Sequence, residues 1–201
     1  MTDYFALLGQ ERRPWLDSES LKTKFLELSG EAHPDRVHRL SEAERSVAQQ
    51  RYVELNAAFN CLRNPKDRLR HLLQLETGAV PQDIKQVPAE LIDDFMKVGQ
   101  LCRETDSLLV EKERSSSPLL KVQLFQRSQD ATDRIQLVLQ QLKARRESLV
   151  EQLRALDAQW VNAKGTSQPD ILQSLESIVH LFGFYDRWIA QLQERIARLS
   201  F

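Results

Sequence analysis

Residues 32–36 read Ala32-His33-Pro34-Asp35-Arg36, a short polar break between two strongly patterned amphipathic segments. Pro34 fixes its own φ and pushes the residue before it out of the α region, so the helix ahead of it must stop there. His33 and Asp35 are therefore expected on a stiff, solvated corner. The flanking segments give the tripeptide its weight. Before it, Asp17 is placed to cap a helix in which Leu21, Phe25 and Leu28 recur at i, i+4 and i+7, one apolar side. Lys22 and Lys24 fall off that side and are expected in solvent. After it, Ser41-Glu42-Ala43-Glu44 has the form of a capping box and opens a helix with Ala48, Tyr52, Leu55, Phe59 and Leu62 at steps of four and three. The two stripes predict an antiparallel hairpin with the tripeptide at its tip.

Further out, Asp3 is placed to cap a short helix over 4–8 that Gly9 ends. Asn64-Pro65 restarts the chain as a cap followed by proline at the first helical position; Leu69, Leu72 and Leu73 turn inward, and Gly78 closes the element. Arg63, Lys66, Arg68 and Arg70 read as a solvated basic face. Residues 1–77 thus form one small helical domain, and 78–87, with Pro81 near its start and Pro88 just beyond, a linker.

Residues 88–201 are almost continuously helical in pattern. Pro88 suits the first position of a helix carrying Leu91, Phe95, Val98, Cys102, Thr105 and Leu109 on its seam. Ser115-Ser116-Ser117-Pro118 interrupts. The next helix bears Ile135, Val138, Leu142, Leu149, Leu153, Leu156 and Trp160. At 1.5 Å per residue it could reach about 65 Å, so either it breaks near Ser128 to Asp133 or one end projects. Lys164-Gly165-Thr166-Ser167 is a turn, and Pro169 starts a last helix with Leu175, Ile178, Phe182, Tyr185, Ile189, Leu192, Ile196 and Leu199. Three such seams predict an antiparallel three-helix bundle. A second stripe, Leu181, Phe184 and Trp188 with Ile92 and Met96, lies off the seam; it is either the wide stripe usual in globular helices or a surface for another partner: the N-terminal domain, a second copy or a client.

Composition narrows the function classes. The chain has 201 residues, formal net charge −1, 28 % charged and 41 % hydrophobic residues, and only two cysteines, Cys61 and Cys102. Residues 1–77 hold twelve basic and twelve acidic side chains, so neither part is a basic arm; nucleic acid and membrane are not expected as partners. Two isolated thiols suggest a reducing compartment. The start, MTDYFALLGQ, has no apolar signal core, and no run approaches a membrane span; the expectation is a cytoplasmic protein.

The sequence resembles a J-domain over Asp3-Tyr4-Phe5, Leu7, Gly9, Leu16-Asp17, Leu21, Phe25, His33-Pro34-Asp35, Asn56, Ala58, Leu62, Pro65 and Arg68, and the whole chain is most similar to the HscB family of iron–sulfur co-chaperones. The resemblance implies an all-α protein: a J-domain over 1–77, a helical hairpin with an H-P-D loop, joined to the antiparallel bundle of 88–201. It implies stimulation of an HscA- or DnaK-type ATPase through His33, Pro34, Asp35 and Arg36, with Lys22 and Lys24 on the positive side of the second helix. It also implies that the bundle holds an IscU-type iron–sulfur scaffold through Leu91, Ile92, Phe95, Met96 and Phe184. The cluster is cargo, so no cofactor is expected. The loop departs from the family in reading Ala32 and Arg36 where an aromatic residue and lysine are common, and Met96 and Gly99 stand where the family often has glutamates. Two other readings remain open: a general J-domain co-chaperone whose helical tail takes a different client, and a structural coiled-coil protein with an inactive J-like domain.

Catalysis is not expected. His33 and Asp35 have no accompanying nucleophile or oxyanion donor, there is no glycine-rich phosphate loop, and Cys61, Cys102, His71 and His180 lack metal-ligand spacing. The chain reads as a non-catalytic adaptor.

Overall fold

The structure, a computed structural model, describes residues 1–33, 36, 41–82, 84, 86–115, 117–163 and 168–200. Among them lie seven α-helices, one short 3₁₀ turn and no strand: α1 (Tyr4–Leu7), α2 (Ser18–Glu31), α3 (Glu42–Arg63), α4 (Pro65–Thr77), the 3₁₀ turn Ala89–Leu91, α5 (Ile92–Arg114), α6 (Pro118–Asn162) and α7 (Gln168–Leu199). The all-α expectation holds. No described helix is long and apolar enough to cross a membrane. The chain gathers into two compact units, Met1–Gln82 with Val150–Val179, and Asp83–Leu149 with His180–Phe201.

In the first unit the helix starts follow the cap residues. Asp3 accepts from the amides of Phe5 and Ala6, Asp17 from Ser20, and Asn64 from Lys66 and Asp67 with Pro65 at N1. Ser41 and Glu44 close a reciprocal capping box. Gly78 sits at φ 75° as the left-handed cap of α4, a conformation a β-carbon would disfavour. The α2–α3 pair is antiparallel. Phe25 of α2 stacks on Phe59 of α3 at 4.3 Å, while His33, beyond the end of α2, meets the earlier Tyr52 of α3. Leu21, Leu55, Ala58, Leu62, Leu69, Leu72 and Leu73 are buried around this pair with Phe5 and Leu8.

The basic face assigned to α4 needs correction at Arg68. This residue is only 4 % exposed, and its guanidinium donates to the carbonyl oxygens of Pro14 at 2.8 Å and Leu62 at 2.7 Å. Burial pulls its pKa down to about 10, which still leaves it charged at neutral pH. The α6 segment of this unit is tied to the loop after α1. Asp157 is buried, forms an ion pair with Arg13 and accepts from the Trp15 amide at 3.2 Å. Arg154 lies over the Trp15 ring, and the Trp160 indole donates to the Arg12 carbonyl at 2.9 Å.

In the second unit the ion pairs give the register. Moving up α5, Asp94, Glu104 and Glu111 meet Arg145, Arg134 and Arg127 of α6 in descending order, so the two run antiparallel. Asp106 and Lys112 of α5 meet Arg195 and the Leu199 carbonyl of α7 in ascending order, so those two run parallel. Arg146 of α6 pairs with Asp186 of α7 and stacks on Phe182.

Three other expectations change, and two points that the sequence leaves open are decided. α6 is one continuous helix of 45 residues, with no break at Ser128 to Asp133. Ser128 and Thr132 donate their hydroxyls to the Leu124 and Ser128 carbonyls, so these polar side chains are satisfied within the helix. Pro88 precedes a 3₁₀ turn instead of opening α5, and Pro169 is the second residue of α7. Phe95, expected on the α5 seam, is exposed; the buried positions are Asp94, Val98, Leu101, Thr105, Leu108 and Leu109. The stripe of Phe184 and Trp188 needs no outside partner, because both are buried. The turn expected at 164–167 lies outside the described residues.

Candidate functional site

The tip of the α2–α3 hairpin is described at its two edges. Ala32 is buried and ends α2; His33 is half-buried and sits edge-on to the Tyr52 ring at 5.7 Å and 89°. The Arg36 amide donates to the His33 carbonyl at 2.9 Å, which brings the two described flanks of the tripeptide within one hydrogen bond. Pro34 and Asp35 themselves lie outside the described residues, as do 37–40. Arg36 and Lys22 are exposed cations. Lys24 is half-buried and engages Glu27 one turn on at 2.9 Å, so part of its charge is met within α2. The imidazole is thus braced by α3, with Arg36 and Lys22 as exposed cations and Glu31 as an exposed acid close in sequence.

Of the five residues expected to hold a client, the structure separates three from two. Ile92, Phe95 and Met96 are 49 %, 46 % and 59 % exposed and occupy one side of the first two turns of α5. Leu91 is buried in the 3₁₀ turn beneath them, and Phe184 is 5 % exposed. Phe184 packs against Trp188 at 5.6 Å, and Trp188 in turn lies 6.5 Å from Phe95, so the two buried residues support the exposed three. Tyr185 meets Trp188 edge-on, and burial pushes its phenol pKa up, with Asp94 adding to the shift. Asp94 is itself buried and held by Arg145 at 2.6 Å. A salt bridge beneath and an aromatic cluster beside it keep the α5 surface in place.

Sequence reasoning missed the burial of Arg68, and it left His71 with a structural role, buried or at the surface, but no partner. The phase of α4 holds the signal: both fall within the apolar side that carries Leu69, Leu72 and Leu73. His71 accepts the Tyr4 amide at 3.0 Å and stacks on the Tyr4 ring at 4.6 Å. No group of three or more His, Cys, Asp or Glu among the described residues is placed to hold a metal. Burial pushes the Cys61 thiol up to about 11, so it is a protonated, unreactive side chain near neutral pH.

No family model matches the chain. A curated relative, the co-chaperone protein HscB homolog of Azoarcus sp. (strain BH72), is 38 % identical over 73 residues, which is 36 % of this chain and 41 % of that protein. Among solved structures, chaperone HscB from Vibrio cholerae superposes with a TM-score of 0.63 at 20 % identity, covering 98 % of this chain and 99 % of that one. Human co-chaperone protein HscB gives the same TM-score at 16 % identity, covering 98 % and 81 %. The chain is similar to HscB co-chaperones in part of its sequence, and it shares their fold over nearly its whole length.

Proposed function

We propose that this chain is an HscB-type co-chaperone. Residues 1–77 act as a J-domain that engages an HscA- or DnaK-type ATPase through His33, Pro34, Asp35 and Arg36. Residues 88–201 present an IscU-type iron–sulfur scaffold to that chaperone on the α5 face. The observation that carries the reading is a joint one: a sequence that reads H-P-D between the antiparallel helices α2 and α3, in a chain whose fold follows Vibrio cholerae HscB over 98 % of its length. Stimulation of hydrolysis requires that the loop bind the hydrolysis-competent arrangement of the chaperone better than the resting one. Arg36 and Lys22 offer positive charge for a negative docking surface, and bracing of His33 by Tyr52 limits the conformational freedom lost on docking.

Steady-state ATP hydrolysis by an HscA- or DnaK-type chaperone tests the first half. The native protein is expected to accelerate it, and His33→Gln to lower that acceleration by about tenfold or more, as expected when one shared contact favours the competent state. Equal rates with the two proteins would end the reading. Retention of an IscU-type scaffold on the immobilised protein, lost on Phe95→Ala with Met96→Ala, tests the second half. The exposed face lacks clustered acidic residues, which favours one rival in particular: a J-type co-chaperone for a different client. That rival predicts stimulation without scaffold retention.

A further inference from the structure

The side of α5 that carries Ile92, Phe95 and Met96 continues through Gly99 and Arg103, because steps of three, four, seven and eleven residues fall on one side of a helix. From Ile92 to Arg103 no carboxylate lies on that line; the next position along it, Asp106, is one, and it is held by Arg195. Most acids of α5 are engaged by arginines of the same unit: Asp94 with Arg145 at 2.6 Å, Glu104 with Arg134 at 2.7 Å, Asp106 with Arg195 at 2.8 Å, and Glu111 with Arg127. Asp93 remains on the flank of the face, and Glu113 at the far end of the helix. The cations show the opposite pattern. Arg103 and Arg187 are exposed, and neither is in an ion pair among the described residues. Arg187 lies over the Phe184 ring at 5.1 Å, and Phe184 touches Trp188, the neighbour of Phe95, so this charge borders the same face from α7.

Gly99 adds shape. Glycine inside a helix costs up to about 1 kcal/mol relative to alanine. A β-carbon at this position would meet only the terminal nitrogen of Arg103, at 3.4 Å. Between Met96 and Arg103 the main chain is therefore covered only by the end of the flexible Arg103 side chain, leaving a shallow dent lined by a guanidinium beside the apolar side chains.

We infer that this face receives a protein segment of mixed apolar and acidic character: an aliphatic or aromatic side chain seated at Gly99 against Phe95 and Met96, and a carboxylate within one helical turn of it paired with Arg103. The inference rests on residues 88–201 being the client-binding part and specifies what that client must offer. A carboxylate gains a charge-assisted, two-pronged hydrogen bond from Arg103. A basic segment would face Arg103 and Arg187, with Asp93 on the flank and Glu90 in the preceding turn as the nearby acids outside an ion pair among the described residues.

Met1 and Met96 are the only methionines. Methyl labelling of methionine in the full chain therefore places one reporter on the face and one at the N-terminus. Two helical peptides with the same leucine stripe, differing only in glutamate or lysine beside it, are titrated at low salt. The glutamate peptide should shift the Met96 methyl and bind about tenfold or more tightly than the lysine peptide, and Arg103→Glu should abolish or reverse the preference. Equal affinities, tighter binding of the lysine peptide, no shift with either, or a preference untouched by Arg103→Glu would overturn the inference. Should the glutamate preference stand while an IscU-type scaffold fails to bind, the scaffold assignment falls and the chemistry of the face survives. If the scaffold binds through Phe95 but is indifferent to Arg103→Glu, only the present inference falls.

Discussion

Arg68 sits on the inward side of α4 and directs its donors at the main-chain carbonyls of two buried residues, Pro14 and Leu62. Replacing it by methionine keeps the bulk and removes the donors. Roughly 3 kcal/mol of unfolding free energy should disappear, readable as a lower urea midpoint with an unchanged slope; a change under about 0.5 kcal/mol would show that the carbonyls are otherwise hydrated. His71 carries a pH dependence. Burial lowers its pKa, the Asp3 carboxylate opposes that shift and the Arg12 guanidinium reinforces it. Above about pH 6.5 the imidazole is neutral in folded and unfolded chains alike. As pH falls through that value the unfolded chain takes up a proton that the folded chain resists, so stability declines toward the lower folded pKa. The thermal midpoint should drop between about pH 7 and pH 5.5, and His71→Gln, whose amide oxygen can still accept the Tyr4 amide, should flatten that drop. An unchanged slope in the variant would assign the effect elsewhere.

At the scale of elements, local chemistry was legible and helix phase was not. The caps Asp3, Asp17, Ser41 and Asn64 each satisfy amides two or three residues away, so a short stretch of sequence contains the whole interaction. Asn64→Ala should accordingly cost about 1 kcal/mol and lower the midpoint of thermal unfolding by a few degrees. By contrast, α5 and α7 each carry more apolar surface than one seam needs. Which stripe faces inward depends on neighbours tens of residues distant: Phe95 turned outward because Asp94 is drawn in to Arg145, which lies 51 positions along the chain. The continuity of α6 was hidden for a related reason. Ser128 and Thr132 look like helix breakers until their hydroxyls are seen to bond one turn back. Of the candidate site, Ile92 and Met96 stood off the seam in the pattern, while the exposure of Phe95 and the supporting roles of Leu91 and Phe184 required knowledge of what covers them.

For the whole molecule, the grouping of residues 150–179 with the N-terminal helices has a direct consequence. Arg13 and the Trp15 amide converge on Asp157, which is buried. Asp157→Ala should destabilise the protein by roughly 2–3 kcal/mol, since it strands a partly buried guanidinium. A fragment limited to residues 1–82 should melt well below the intact chain, as followed by helical circular dichroism; equal midpoints would mean that the α6 contacts contribute nothing. The three tryptophans are also unequally placed. Trp15 lies beneath a guanidinium, Trp160 donates to a carbonyl, and Trp188 touches the exposed Phe95. With the first two exchanged for phenylalanine, the remaining indole becomes an optical gauge. Its emission should change colour when a guest settles beside it, so docking could be timed in a stopped-flow cuvette without attaching any dye.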